Sequence, residues 1–150
     1  MNKINTEKSE PQRRMAFDLA WPPSVNHTWR KAGGRVFLDP KVRAFRTDTL
    51  SRMAALRRRG ILPERGRPLD GTLAVRIVAH PPDNRRRDLD NLCKAVLDAL
   101  THAGVWNDDA QVKRLESVFG APEKNGRAAV ELTEDDDVAR NGIRRGRCGR

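Results

Sequence analysis

Apolar residues recur at Leu89, Leu92, Cys93, Val96, Leu97 and Leu100, the i, i+3, i+4, i+7 spacing of a helix that buries one face. Asp88 stands where an N-cap belongs and Gly104 where a C′ residue of positive φ belongs, so the pattern predicts a helix between them. A second helical stripe runs through Val42, Phe45, Thr49, Met53 and Leu56, opened by Asp39 as N-cap and Pro40 at N1. Elsewhere the period is two. Met15, Phe17, Leu19 and Trp21 alternate with Ala16, Asp18 and Ala20 until Pro22 and Pro23 stop the strand. Thr72 to Ala79 is partly apolar on both faces and reads as a central strand. Val112 to Phe119 has a mixed pattern best read as a strand. Pro122 to Gly126 is a hairpin-turn candidate, with Ala128, Val130 and Leu132 on the return strand. Ser24 to Gly34 reads as a loop holding Asn26, His27, Trp29 and Arg30, with a turn at Gly33-Gly34 before a short apolar piece at Val36 to Leu38.

The order β, α, β, α, β, β predicts a single α+β domain, a mixed β-sheet with two main helices packed on it, over residues 15–133. Residues 1–14 are polar and read as a flexible N-terminal tail. Residues 134–150 open on an acidic run, end Gly/Arg-rich and hold only Val138 and Ile143 as sizeable aliphatics, so a disordered C-terminal tail is expected.

Composition narrows the class. A length of 150 residues suits one domain, and 33% charged against 37% hydrophobic residues make its core modest. Thirty Lys plus Arg against twenty Asp plus Glu leave a formal net charge of +10, a balance that points to nucleic acid or another anionic partner. Cys93 and Cys148 are the only cysteines, too few for a disulfide framework or a cysteine-based zinc site. No membrane-spanning run or signal peptide is seen, so a soluble protein of the cytoplasm, associated with the nucleoid through DNA, is expected.

The chemistry gathers at the central helix, whose unburied positions carry Asp90, Asn91, Lys94, Asp98 and Thr101. One reading is structural: Asp88 and Asp90 sit where the helix dipole favours anions, and Lys94 follows Asp90 in the supporting i, i+4 order. The other notices Asp108 and Asp109 just beyond the helix, where a returning strand can bring a third carboxylate to the first two. Carboxylates so gathered repel unless a cation sits among them, and hard oxygen ligands select Mg²⁺, with Mn²⁺ as substitute. Lys94 then neutralises charge on a phosphate. Arg85, Arg86 and Arg87 precede this cluster directly and suit bidentate phosphate contact; Asn26 is a further DNA-contact candidate in its loop. Arg57, Arg58 and Arg59 read as a solvated face at a helix end. A calcium loop beginning at Asp88 fails, since its fifth and sixth positions are Leu92 and Cys93, and the three histidines have no ligand spacing.

Trp21-Pro22-Pro23-Ser24-x-Asn26, Arg86-Arg87-Asp88-Leu89-Asp90-Asn91-Leu92-x-Lys94, Asp98-Ala99-Leu100-Thr101, Gly104 and Asp108-Asp109-x-Gln111-Val112 together closely resemble the RusA family of Holliday junction resolvases. The resemblance covers roughly Met15 to Thr133, in the same order and with compatible spacing. It implies a homodimeric, Mg²⁺-dependent endonuclease that binds four-way DNA junctions and nicks two strands symmetrically. It implies metal-binding and catalytic roles for Asp88, Asp90 and Asp109, and a catalytic role for Lys94. Two alternatives stay open: a DNA-binding module without catalysis, and a nuclease for flaps or other branched DNA.

Overall fold

The computed structural model describes residues 13–134. Apart from Arg13, Arg14 and Glu134, both expected tails lie outside the described residues, as does Cys148. Eight regular elements follow in order: β1 (Arg14–Ala20), β2 (Trp29–Ala32), β3 (Arg35–Leu38), α1 (Pro40–Arg58), β4 (Leu73–His80), α2 (Leu89–His102), β5 (Val112–Phe119) and β6 (Arg127–Glu134). Short 3-10 turns stand at Val25–His27 and Asp109–Gln111. The domain is α+β, as expected from the sequence. It departs from the expected order in the hairpin β2–β3, which occupies the segment read as loop and apolar piece.

The main sheet runs β1-β6-β4-β5, with β1 and β4 antiparallel to β6 and β5 parallel to β4. β4 is therefore central, as apolar residues on both of its faces predict, although Arg76 interrupts the second. Register puts Met15 and Leu19 beside Leu132 and Ala128, and these beside Val75 and Ala79, so one sheet face is continuously apolar. Both helices cover that face. Val42, Phe45, Thr49, Met53 and Leu56 are the buried residues of α1, the stripe read from the sequence; α2 buries Leu92, Cys93, Ala95, Val96, Ala99 and Leu100. Leu89 and Leu97 are only partly covered and flank the core. The opposite sheet face carries cross-strand ion pairs instead, Arg14 to Glu131 at 2.7 Å, Arg76 to Glu116 at 3.2 Å and Arg127 to Asp18 at 2.7 Å.

Two expectations need correction. The turn at Glu123–Gly126 forms, with Gly126 N donating to Glu123 O at 2.9 Å and Asn125 and Gly126 both at positive φ, but it closes no hairpin. Strands β5 and β6 lie on opposite sides of β4, because α2 carries the chain across the sheet to a parallel outer position and only the far side of β4 remains for β6. Arg57 is not part of a solvated face. Its Nη2 donates to Ala103 O at 2.9 Å and Gly104 O at 3.1 Å, satisfying the last carbonyls of α2 from the end of α1. Gly104 follows at φ +68°, the left-handed C′ position read from the sequence.

Gly126 also packs closely. A Cβ there would lie 2.9 Å from Pro82 Cδ, 3.0 Å from Trp21 Cε3 and 3.1 Å from His80 O, at φ +65°. Gly126→Ala is expected to lower stability by more than about 1 kcal/mol, since the new side chain meets both a strained φ and closely packed neighbours. Urea denaturation measures it; an unchanged midpoint would mean that the turn relaxes freely.

Candidate active site

The site is built on α2. Asp88 occupies the N-cap position in extended conformation, yet its side chain makes no capping hydrogen bond. Among the described residues its carboxylate is met by Asn91, whose Nδ2 donates to Oδ2 at 3.4 Å. A carboxylate kept merely to cap the helix accepts a bond from an amide of the first turn. Asp88 does not. It lines a hollow of about 250 Å³ with Trp21, Asn26, Arg86, Arg87 and Asn91.

Asp90, two residues on, points elsewhere. Residues i and i+2 of a helix do not face each other, whereas i and i+4 do. Asp90, Lys94 and Asp98 therefore form one stripe, and they line a second hollow of about 610 Å³ with Leu89, Cys93, Leu97, Asp109, Leu115 and Ser117. The structure thus brings Asp90, Lys94 and Asp109 together from the two ends of the stretch, and leaves Asp88 across the helix. Among the described residues, no three acidic, histidine or cysteine side chains are gathered closely enough to hold a metal ion as they stand. The donors of the larger hollow nonetheless have the right chemistry for one, being hard carboxylate oxygens that crowd each other. Asp109 shows the crowding. Its carboxyl is held above the ordinary range by a hydrogen bond shared with Asp108, then by burial and the facing charges of Asp108 and Asp98.

The turn that carries Asp109 is tightly fixed. Asp108 Oδ1 accepts from Ala110 N at 2.8 Å, and Gln111 Oε1 accepts from Asn107 N at 2.8 Å and Asp108 N at 3.0 Å. This is a reciprocal capping box. Gln111 Nε2 reaches back to Leu69 O at 2.8 Å and Gly71 O at 3.0 Å, tying the turn to the approach to β4. The Asp108 carboxyl is held below its usual range, first by the Ala110 amide. It serves the turn.

The three arginines divide their work. Asp83 accepts from the backbone N–H of Arg85 and pairs with the side chains of Arg85 at 2.9 Å and Arg87 at 2.7 Å, which together push its carboxyl far below the ordinary range. Arg87 also lies 5.4 Å from the centroid of the Trp21 ring and donates to Asp83 O and Arg85 O, so it organises the loop. Arg85 and Arg86 remain exposed at the rim. Sequence reasoning assigned no role to two residues of the site. Asp98 was marked by its i+4 distance from Lys94, and Gln111 by its place three residues after Asp108, the spacing of a capping box.

Carboxylates beside one ammonium group, on a strongly basic chain with arginines at the rim, are the equipment of a nuclease. The comparisons with known proteins say which kind. The model of the family described as endodeoxyribonuclease RusA matches residues 20–133, and the chain belongs to that family. It is similar to the crossover junction endodeoxyribonuclease RusA of Escherichia coli, 42% identical over 123 residues, covering 79% of this chain and 93% of that one. The protein of the same name from Enterobacteria phage 82 is 42% identical over 120 residues, 77% of this chain and 91% of the other. That from Enterobacteria phage HK97 is 34% identical over 122 residues, 81% and 96%.

Proposed function

We propose that this chain is a structure-specific endodeoxyribonuclease that resolves four-way DNA junctions by paired, symmetrical, Mg²⁺-dependent nicking, with Mn²⁺ able to substitute. One observation carries the reading: Asp90 and Lys94 on α2 share a hollow with Asp109, which the chain delivers there from beyond the helix end. The names of the relatives and the family match support the substrate, and the crowded carboxylates support the ion.

Asp90 and Asp109 would hold the cation, with Asp88 completing the set from across the helix when DNA is bound. The ion would supply an activated water and neutralise charge on the scissile phosphate. Lys94, one turn after Asp90, places its ammonium group where negative charge builds on the phosphoryl oxygens. Water adds to phosphorus, the P–O3′ bond breaks, and a proton passes to the departing 3′ oxygen. Arg85 and Arg86 meet phosphates at the rim while Arg87, clamped by Asp83 and stacked on Trp21, fixes the loop that presents them. Asn26 borders the same approach.

Paired cuts need two sites related by the two-fold axis of the junction, which an isologous homodimer supplies. β5 suits that role: it is one of the two edge strands of the main sheet, eight residues long, with Leu115, Val118 and Phe119 exposed. Antiparallel pairing of two β5 edges centred on Leu115 would set Arg114 opposite Glu116 twice and cover the exposed leucine. Leu115→Glu, at the centre of this pairing, is expected to shift the protein from dimer to monomer in light scattering; a wild-type monomer at micromolar concentration would sink this pairing. Among the described residues no helix is long and apolar enough to cross a membrane.

The deciding experiment is cleavage of a mobile four-way junction, a flap and plain duplex, each with and without Mg²⁺. Junction cutting that needs the ion is the expected result. Junction binding without cutting at any Mg²⁺ or Mn²⁺ concentration would leave a DNA-binding module, and preferential cutting of flaps would move the substrate.

A further inference from the structure

Three tryptophans have three fates. Trp106 is buried, at 1% exposure, and its indole N–H is satisfied by Thr101 Oγ1 at 2.7 Å. Trp21 is partly buried and takes the Arg87 guanidinium on its face. Trp29 is 63% exposed. It opens the hairpin β2–β3, in which every strand residue but Leu38 is exposed. Register pairs Trp29 with Leu38 and Lys31 with Val36 on one face of the ribbon, and Arg30 with Phe37 and Ala32 with Arg35 on the other. Each face therefore carries an exposed aromatic beside a cation. Val36, at 59% exposure, extends the apolar patch next to Trp29.

No acidic residue occurs between Trp29 and Leu38, and the tip is Gly33-Gly34 at φ +56° and +73°, the left-handed pair of a tight hairpin turn. The root is anchored. Asp39 N donates to Thr28 O at 2.8 Å, and the buried Asp39 carboxylate accepts from Arg30 Nε and from Lys41 N, capping α1 at the same time. The Arg30 guanidinium is the main reason that this carboxyl sits below its ordinary range. Asn26, three residues before Trp29, lines the hollow of Asp88, Arg86 and Arg87, so the hairpin springs from the edge of the candidate site. Four extended residues reach about 13 Å.

We propose that this hairpin is a second DNA-binding element, in which Trp29 stacks on a base unpaired at the branch point and Lys31 and Arg35 meet the flanking phosphates. The inference rests on the reading of the chain as a junction nuclease and deepens it, by naming what holds the branch open beside the cutting site. Charge complementarity selects the occupant: with Arg30 held by Asp39 at the root, Lys31 and Arg35 leave the outer ribbon positive and without a carboxylate of its own, which faces a polyanion, and its exposed rings face the unstacked bases that a branch offers and a duplex does not. A second copy of this chain, itself formally +10, is a poorer electrostatic match to the same surface.

The experiment uses the full chain in EDTA with a four-way junction carrying 2-aminopurine at the branch point, and a duplex of the same length. Wild type is expected to bind the junction and change the 2-aminopurine fluorescence. Trp29→Ala should lose that change and weaken junction binding about ten- to a hundredfold, with duplex binding altered less than twofold and thermal unfolding unchanged. Trp29→Phe should restore most of both signals, and Lys31→Ala should reduce the salt slope of binding by about one. The inference is overturned if Trp29→Ala binds and reports like wild type, if its loss falls equally on duplex, or if it instead dissociates the free protein into monomers. Failure of wild type to bind junctions at all would strike the nuclease reading, a result distinct from any of these.

Discussion

Asp90→Asn is expected to bind a four-way junction at least as tightly as wild type and to nick it about a thousandfold more slowly in saturating Mg²⁺. The change keeps the size and shape of the side chain and removes one negative charge from a surface that must approach DNA, so binding has no reason to weaken. Folding loses little. An acidic residue in the first turn contributes at most about 1 kcal/mol through the helix dipole, and Asp90 is exposed. What disappears is a hard anionic oxygen, the proposed ligand, in the hollow where Lys94 and Asp109 also converge. Burst-free single-turnover cleavage, with affinity measured separately in EDTA, distinguishes the two effects. Nicking by Asp90→Asn within tenfold of wild type would remove Asp90 from the chemistry and with it the assignment of this hollow. The same assay on Asp88→Asn tests the more distant proposed ligand: a comparable loss would support its reaching the ion when DNA is bound, since here Asp88 lines a hollow separate from that of Asp90 and Asp109.

That separation shows where reading the chain succeeds and where it stops. Helical periodicity located α1 and α2 because burial on one stripe is a local property, and each buried position of α1 follows from it. The acidic cluster was legible as composition, since Asp88, Asp90, Asp108 and Asp109 are close in sequence. Its division between two hollows depends on the angle between successive helical residues and on where β5 brings the returning chain, which no local pattern encodes. The hairpin β2–β3 was hidden for a related reason. Both of its faces are exposed, so no alternation of burial marks it, and only the paired glycines at its tip betray a turn. Sheet order was hidden too: Asn125-Gly126 is a sound turn signal, but whether the strands beside a turn pair is decided by which edge of β4 is still open. Arg57 looked like one of three equivalent cations because its partners, the carbonyls at the end of α2, are distant in sequence.

Trp106→Ala is expected to cost about 3–5 kcal/mol of stability, enough to leave a domain of ordinary stability largely or wholly unfolded. Its side chain is among the largest fully buried ones in the core cluster, so truncation opens a cavity that the sheet and helices around it cannot all close. The residue also joins distant pieces of chain. Trp106 forms an isolated parallel bridge with Leu69, whose N–H donates to Val105 O at 2.9 Å, while its indole N–H reaches back to Thr101 at the end of α2. Trp106→Phe keeps only the six-membered ring: it gives up that one hydrogen bond, about 1 kcal/mol because the Thr101 hydroxyl still donates to Leu97 O, and leaves a small cavity where the pyrrole ring packed, about 1 kcal/mol more. Urea unfolding followed by circular dichroism should therefore place the Phe variant modestly below wild type and the Ala variant far below both. Nicking should follow the same order, since Asp109 lies three residues beyond the anchor and its turn is fastened by Gln111 to the segment that Leu69 begins. A Trp106→Phe protein that stays folded yet loses cleavage would show that the indole N–H, and not the packed ring, sets the position of Asp109.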